Sequence, residues 1–280
     1  MGFFTGFFCI ILIPMWWKSV IFREDQWYCW RLSGAEIFVC RKGSVWSAFC
    51  RPLRWARRSV SCTGPAEETP ALFENVQTKI LAEETAALRP FLPEKPFLVN
   101  LSGLQLFPGM EIMLELELPP SFRLLAANSA LIEPASLDSG IIFDFAPFQL
   151  KESWYGKNTM EGCLCSSLPV VIPRAAGDVN PGDAGNSAQA IIHCTVVIRN
   201  RAKTTLEPDK ILFFAEGLAV YEIDGRLVSD SPIIEEHGND FHITGITSMA
   251  DHGTLLVPGS KNKADLFAQG TRIIKNITGL

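Results

Sequence analysis

Residues 190–228 constrain the fold of this chain more than any other stretch. Ile191-Ile192-His193-Cys194-Thr195-Val196-Val197-Ile198-Arg199-Asn200 is rich in β-branched residues and ends at a polar break. Ile211-Leu212-Phe213-Phe214-Ala215 and Leu218-Ala219-Val220-Tyr221-Glu222-Ile223 follow, then Asp224-Gly225, then Arg226-Leu227-Val228. A two-residue hairpin turn needs positive φ at both central positions, which Asp-Gly accepts more readily than most pairs. The spacing therefore predicts a hairpin centred on Asp224-Gly225 and an antiparallel C-terminal half. That fixes an architecture and not a reaction.

Upstream, Met110-Glu111-Ile112-Met113-Leu114-Glu115-Leu116-Glu117-Leu118 alternates almost throughout, with Ile112, Leu114, Leu116 and Leu118 on one face. Such alternation predicts a sheet with one buried and one wet side. Pro108-Gly109 opens the run and Pro119-Pro120 closes it. Trp27–Leu32, Glu36–Cys40, Val45–Phe49, Phe122–Leu125, Ala130–Ile132 and Ile141–Phe145 read as further strands. Many short strands with Pro/Gly punctuation predict a mainly β protein of antiparallel β-sandwich architecture. It has two sandwich-like halves and one or two short helices. The helix falls on Ala71–Leu88, where Leu72, Val76, Ile80 and Leu81 lie near one face; an edge strand over Thr78-Lys79-Ile80-Leu81 is the alternative. Pro90, Pro93 and Pro96 read as a stiff connector. The chain divides into a Trp-rich basic segment (1–62), a first β half (63–150), a second β half (151–258) and a basic tail (259–280).

Charge is distributed unevenly over the 280 residues. Residues 1–62 carry +6 and the remainder −11, for a net −5. An acidic body argues against nucleic-acid binding, where basic surface supplies most of the affinity. Arg51, Arg54, Arg57 and Arg58 around Trp55 read as a solvated loop whose stems cover apolar surface. Residues 2–17 are mostly apolar, but no Lys or Arg precedes them and no small-residue cleavage site follows. The expectation is a cytoplasmic protein with its eight cysteines as free thiols. Membrane association through residues 1–17 is the alternative, and Met15 is a second candidate start.

The chain lacks Gly-rich phosphate loops, a Gly-x-Ser-x-Gly elbow, His-Glu-x-x-His and Cys-x-x-Cys. Three weaker constellations carry chemistry. Cys163 and Cys165, with His193 or Cys194, have zinc-type ligands without zinc-type spacing, and strand alternation makes the cysteines small apolar residues instead. His237, His242 and His252, with Glu235, Glu236, Asp240 and Asp251, have metal or acid–base chemistry but read as polar turn residues around Gly238 and Gly253. Asp178, Asn180 and Asp183 offer oxygens to calcium in a loop of ordinary turn composition. None calls for a cofactor.

The stretch from about Ile80 to Leu280 resembles an uncharacterised prokaryotic family, first noted in archaea, that carries only a domain-of-unknown-function label. The likeness rests on Leu88-Arg89-Pro90 and on the strand after Pro108. It also rests on Lys151-Glu152-Ser153-Trp154-Tyr155-Gly156 leading into Glu161-Gly162-Cys163, on Val197-Ile198-Arg199-Asn200-Arg201, and on the Val220–Val228 hairpin. A Lys-x-x-x-Tyr-Gly element belongs to that family's pattern, and Lys151, Tyr155 and Gly156 match it. The Trp-rich first 60 residues match less well. The resemblance implies a β architecture and transfers no activity.

Two functions remain. The first is a non-catalytic cytoplasmic β-sandwich protein that binds a protein or membrane-associated partner. Its tail is a candidate contact arm, since Lys261, Lys263, Arg272 and Lys275 flank Leu266, Phe267, Ile273 and Ile274 and suit an anionic membrane or a partner groove; a short terminal helix or strand packed on the protein's own sandwich is the alternative, and the favoured one. The second is an enzyme or small-ligand protein with a site near Lys151, Trp154, Tyr155, Gly156, His193 and the late histidines.

Overall fold

The computed structural model describes residues 16–32, 35–52, 62–65, 76–126, 140–145, 150–156, 162–168, 171–174, 190–237 and 240–259. In chain order the strands are β1 (Ser19–Ile21), β2 (Trp27–Leu32), β3 (Ala35–Lys42), β4 (Val45–Pro52), β5 (Cys62–Pro65), β6 (Gln77–Ile80) and β7 (Thr85–Phe91). Next come β8 (Phe97–Asn100), β9 (Glu111–Leu118), β10 (Ser121–Ala126), β11 (Ile141–Phe145), β12 (Glu152–Gly156), β13 (Gly162–Ser167) and β14 (Val171–Arg174). The last are β15 (Ile192–Arg199), β16 (Lys210–Phe213), β17 (Val220–Ile223), β18 (Arg226–Ser229), β19 (Ser231–His237), β20 (Asp240–Thr247) and β21 (Thr254–Val257). The protein is mainly β and sandwich-like. The tail from residue 260, the first 15 residues, Ala130–Ile132 and the Asp178–Asp183 loop lie outside the described residues.

Two sheets, β1-β7-β10-β11 and β5-β2-β3-β4-β6, pack on a shared aromatic core. Phe22, just after β1, lies 4.9 Å from the Trp46 ring and 4.6 Å from that of Tyr28. Trp16 meets Phe122 edge-on at 5.3 Å. Trp30 donates its indole N–H to the Trp16 carbonyl at 3.2 Å, so the largest side chains also tie the segment before β1 to the sheets. The remaining strands form β12-β13-β8-β16 and an eight-stranded sheet, β14-β9-β15-β18-β17-β21, with β19 and β20 branching from β15.

Three local expectations are corrected. No helix occupies Ala71–Leu88 where it is described: Gln77–Ile80 and Thr85–Phe91 are strands, and the edge-strand alternative holds for β6. Ala86, Ala87 and Leu88 are fully buried in succession, because β7 is covered on both faces. Pro90 belongs to that strand and pairs with Phe122 rather than opening a connector. The C-terminal half is not purely antiparallel either, since β15 runs parallel to β18 and to β19. Strands from both sides of Lys151 share sheets: β9 pairs β14 and β15, and β8 pairs β13 and β16.

Two buried polar side chains hold the joints. Asn200, fully buried, donates its amide to the carbonyls of Leu106 and Thr204 at 2.7 and 2.8 Å and accepts the Ala202 N–H at 2.9 Å. Asp230 stands between β18 and β19, where the sheet forks toward β17 on one side and β20 on the other. Its carboxylate accepts the Ala219 N–H at 3.2 Å and the Met249 N–H at 3.4 Å. Each replaces backbone partners that the interrupted ladder lacks.

The Asp224-Gly225 hairpin is present, with φ of 49° and 76° and Ile223 paired with Arg226. A Gly225→Val variant is expected to lose about 1 kcal/mol or more of stability, because a β-branched residue resists positive φ; urea unfolding measures it. Asn200→Ala is expected to cost about 2–3 kcal/mol, since it strands buried carbonyls and an amide. Unchanged unfolding midpoints in that variant would contradict the assigned role.

Candidate functional site

The Lys151–Gly156 element forms the edge of the β12-β13-β8-β16 sheet. β12 pairs antiparallel with β13, placing Trp154 opposite Leu164, Tyr155 opposite Cys163 and Gly156 opposite Gly162. Pairing continues through Ser166 opposite Phe97, and Phe97 opposite Phe213. Trp154 and Leu164 therefore share a face with Phe97, Val99, Ile211 and Phe213, which are buried in the core. Trp154 is 52% exposed and Leu164 43% exposed. The core face thus runs outward, beyond its cover, to the sheet edge.

Glycine shapes this edge. A Cβ on Gly162 would lie 2.7 Å from the Trp154 indole nitrogen and 2.6 Å from the Tyr155 carbonyl oxygen. The indole lies across the bare glycine backbone, which sets the ring beside Leu164. Lys95 pairs with Glu152 at the start of the strand. Lys151 is exposed, and its carbonyl accepts the Ser167 N–H at 2.9 Å.

The opposite face of the hairpin carries the thiols. Cys165 is buried and donates to the Ser153 carbonyl at 3.1 Å. Burial, then Cys165 and Asp209, push the half-buried Tyr155 hydroxyl above its ordinary value. Tyr155 is thus a weaker acid than free tyrosine and a neutral hydrogen-bonding group at physiological pH.

The histidines are not gathered here. His193 lies on β15 opposite Glu117, in the eight-stranded sheet. His242 lies on β20 opposite Glu235, and His237 ends β19 opposite Asp240 with its side chain outside the described residues. These two belong to strands rather than to the turn; only His252 sits in an exposed turn, its N–H bonded to the Met249 carbonyl. Among the described residues, no group of three or more His, Cys, Asp or Glu side chains is placed to hold a metal ion. His193 and Cys194 face opposite ways, as strand alternation requires; Cys194 is buried, with its thiol toward the Asp230 carbonyl at 3.8 Å. Arg51, expected in a basic loop, lies instead on β4 opposite Glu36, pairs with that carboxylate and lies 6.0 Å from the Phe38 ring, while Arg54, Arg57 and Arg58 lie outside the described residues.

Sequence reasoning named Trp154 and Tyr155 but missed Leu164, which only the β12–β13 register brings beside the indole. It also missed Asp230, whose single visible signal is an acidic residue between two apolar strand runs.

Fold and site together define a mainly β, sandwich-like protein with an apolar sheet edge open to solvent. The chain belongs to the family described as "Protein of unknown function (DUF432)", whose model matches residues 16–265. The match begins at Trp16, so the Trp-rich segment is part of the family domain, which extends well before Ile80. No curated protein and no solved structure matches the chain.

Cys29, Cys40, Cys50, Cys163, Cys165 and Cys194 are free thiols. Burial pushes Cys50 up to about 11 and Cys194 up to about 12. Both stay protonated in the fold while an unfolded chain ionises near its ordinary value of 9.0. The stability these two thiols contribute is therefore constant below that value and is lost as pH rises through 9 toward 11–12. Urea midpoints across that range check the sign, and a midpoint that rises would refute it.

Proposed function

We propose that this protein is a non-catalytic, cytoplasmic β-sandwich module that holds a protein partner at the β12 edge. The observation that carries the reading is the Trp154–Leu164 pair, exposed side by side where the core face reaches the sheet edge. Tryptophan is the residue type most enriched among interface hot spots, and an adjacent aliphatic side chain completes an apolar anchor. β12 pairs with β13 alone among the described strands, so its outer edge offers backbone groups to an added strand. The six free thiols favour a reducing compartment. Among the described residues no helix is long and apolar enough to cross a membrane.

The enzyme reading needs Trp154, Tyr155 and the histidines to converge. They lie on different sheets, which favours the binding reading. Metal analysis of the purified protein tests the alternative directly, since stoichiometric metal would favour it.

Photo-crosslinking in the native host tests the docking edge. A photoreactive phenylalanine analogue at position 154 is expected to give one adduct of defined mass. The same probe at Ile80, exposed on a different sheet, should not give it. A second substitution, Leu164→Glu, should abolish the adduct while leaving the melting temperature of the purified protein unchanged. No adduct at 154, or the same adduct at both positions, would sink the reading.

A further inference from the structure

Strands β7 and β10 bring two arginines face to face, with Arg89 paired directly with Arg123. Both project from the side of the sheet opposite Leu88, Phe122 and Leu124, which belong to the core. Like charges directly opposed across a strand pair repel, so this register costs stability unless each charge is answered.

Arg123 is answered. Its guanidinium donates to both carboxylate oxygens of Asp144, at 2.7 and 3.1 Å, and lies 4.7 Å from the centre of the Phe91 ring. Arg89 is not: among the described residues it has no hydrogen-bond acceptor and no ion-pair partner. It is also only partly accessible, and burial pushes its guanidinium below the ordinary value. With Arg123 and Asp144 neutralising each other, the group carries one unanswered positive charge. A partly desolvated cation without a partner is unfavourable, and an apolar residue would serve the strand better.

The setting is a step in the surface. Ala87 and Leu125, next along the same face, are 0% and 3% exposed, so that end of the face is covered. The Arg123 and Asp144 side chains are 27% and 48% exposed, so the other end is open. Arg89 stands at the boundary, where a ligand is reached from solvent yet partly shielded from it.

We propose that Arg89, flanked by Arg123 on the Phe91 ring, binds a small oxyanion, a carboxylate or a phosphate, at this step. The planar guanidinium fork matches two oxygens of either group, and shielding strengthens the contact relative to open solvent. Asp144 moderates the site by occupying the fork of Arg123.

Isothermal titration of the full chain with inorganic phosphate and with succinate, at ionic strength matched with chloride, tests this. At least one anion is expected to saturate the wild-type protein, and which one assigns the ligand class. Arg89→Gln should weaken that binding by about tenfold or more while keeping or raising the melting temperature. Asp144→Asn should strengthen it several-fold by releasing the second fork. Three results would overturn the proposal: no saturation up to tens of millimolar of either anion, equal affinity in Arg89→Gln, or weaker binding in a folded Asp144→Asn protein.

Discussion

Eight consecutive cross-strand pairs join β9 to β15, from Glu111–Arg199 to Leu118–Ile192, and the larger sheet is built outward from that ladder. β9 carries β14 on its far side, while β15 carries β18 and then β19. The pairing puts Leu114, Leu116 and Leu118 on one side with Ile192, Cys194, Val196 and Ile198, all buried. On the other side it sets Glu111 against Arg199, which also reaches Glu235 at 3.6 Å. The apolar face supplies the drive and the charged face sets the register, because a one-residue slip would turn the glutamates into the core.

What surrounds the ladder follows from its limits. β15 is longer than either parallel partner, so the chain bends from β18 to β19 beside it. The bend leaves amides of neighbouring segments without ladder partners, and Asp230 supplies them with acceptors. At the other end, where β15 stops at Arg199, Asn200 does the converse for the loops at Leu106 and Thr204, donating its amide to their carbonyls. Both polar residues are consequences of where a strand pair ends.

Legibility in the sequence tracked how local the determining physics is. The Asp224-Gly225 turn and the alternation of β9 depend on adjacent residues and were readable. The stretch Leu81-Ala82-Glu83-Glu84-Thr85-Ala86-Ala87-Leu88 has helical propensity, yet pairing with β1 and β10 overrides it. Burial on both faces also erases the two-residue period that would have marked the strand. The candidate site was half legible. Trp154 stood out as a lone tryptophan in a polar context, but its neighbour Leu164 and the Arg89–Arg123 opposition are set by register between distant strands. No spacing rule along the chain encodes them.

The β9–β15 ladder also has a history in time. Roughly seventy residues separate the end of one strand from the start of the other, and ribosomes add about 5–20 residues per second. During synthesis, Leu114, Leu116 and Leu118 must wait several seconds for their partners, whereas β2, β3 and β4 meet through short connections soon after they emerge. The nascent chain therefore carries the apolar stripe of β9 without its β15 partners throughout that interval. Contacts this distant in sequence slow folding, and bare stripes attract one another. Synthesis itself thus sets the interval over which this stripe stays open, and the rate of translation fixes its length.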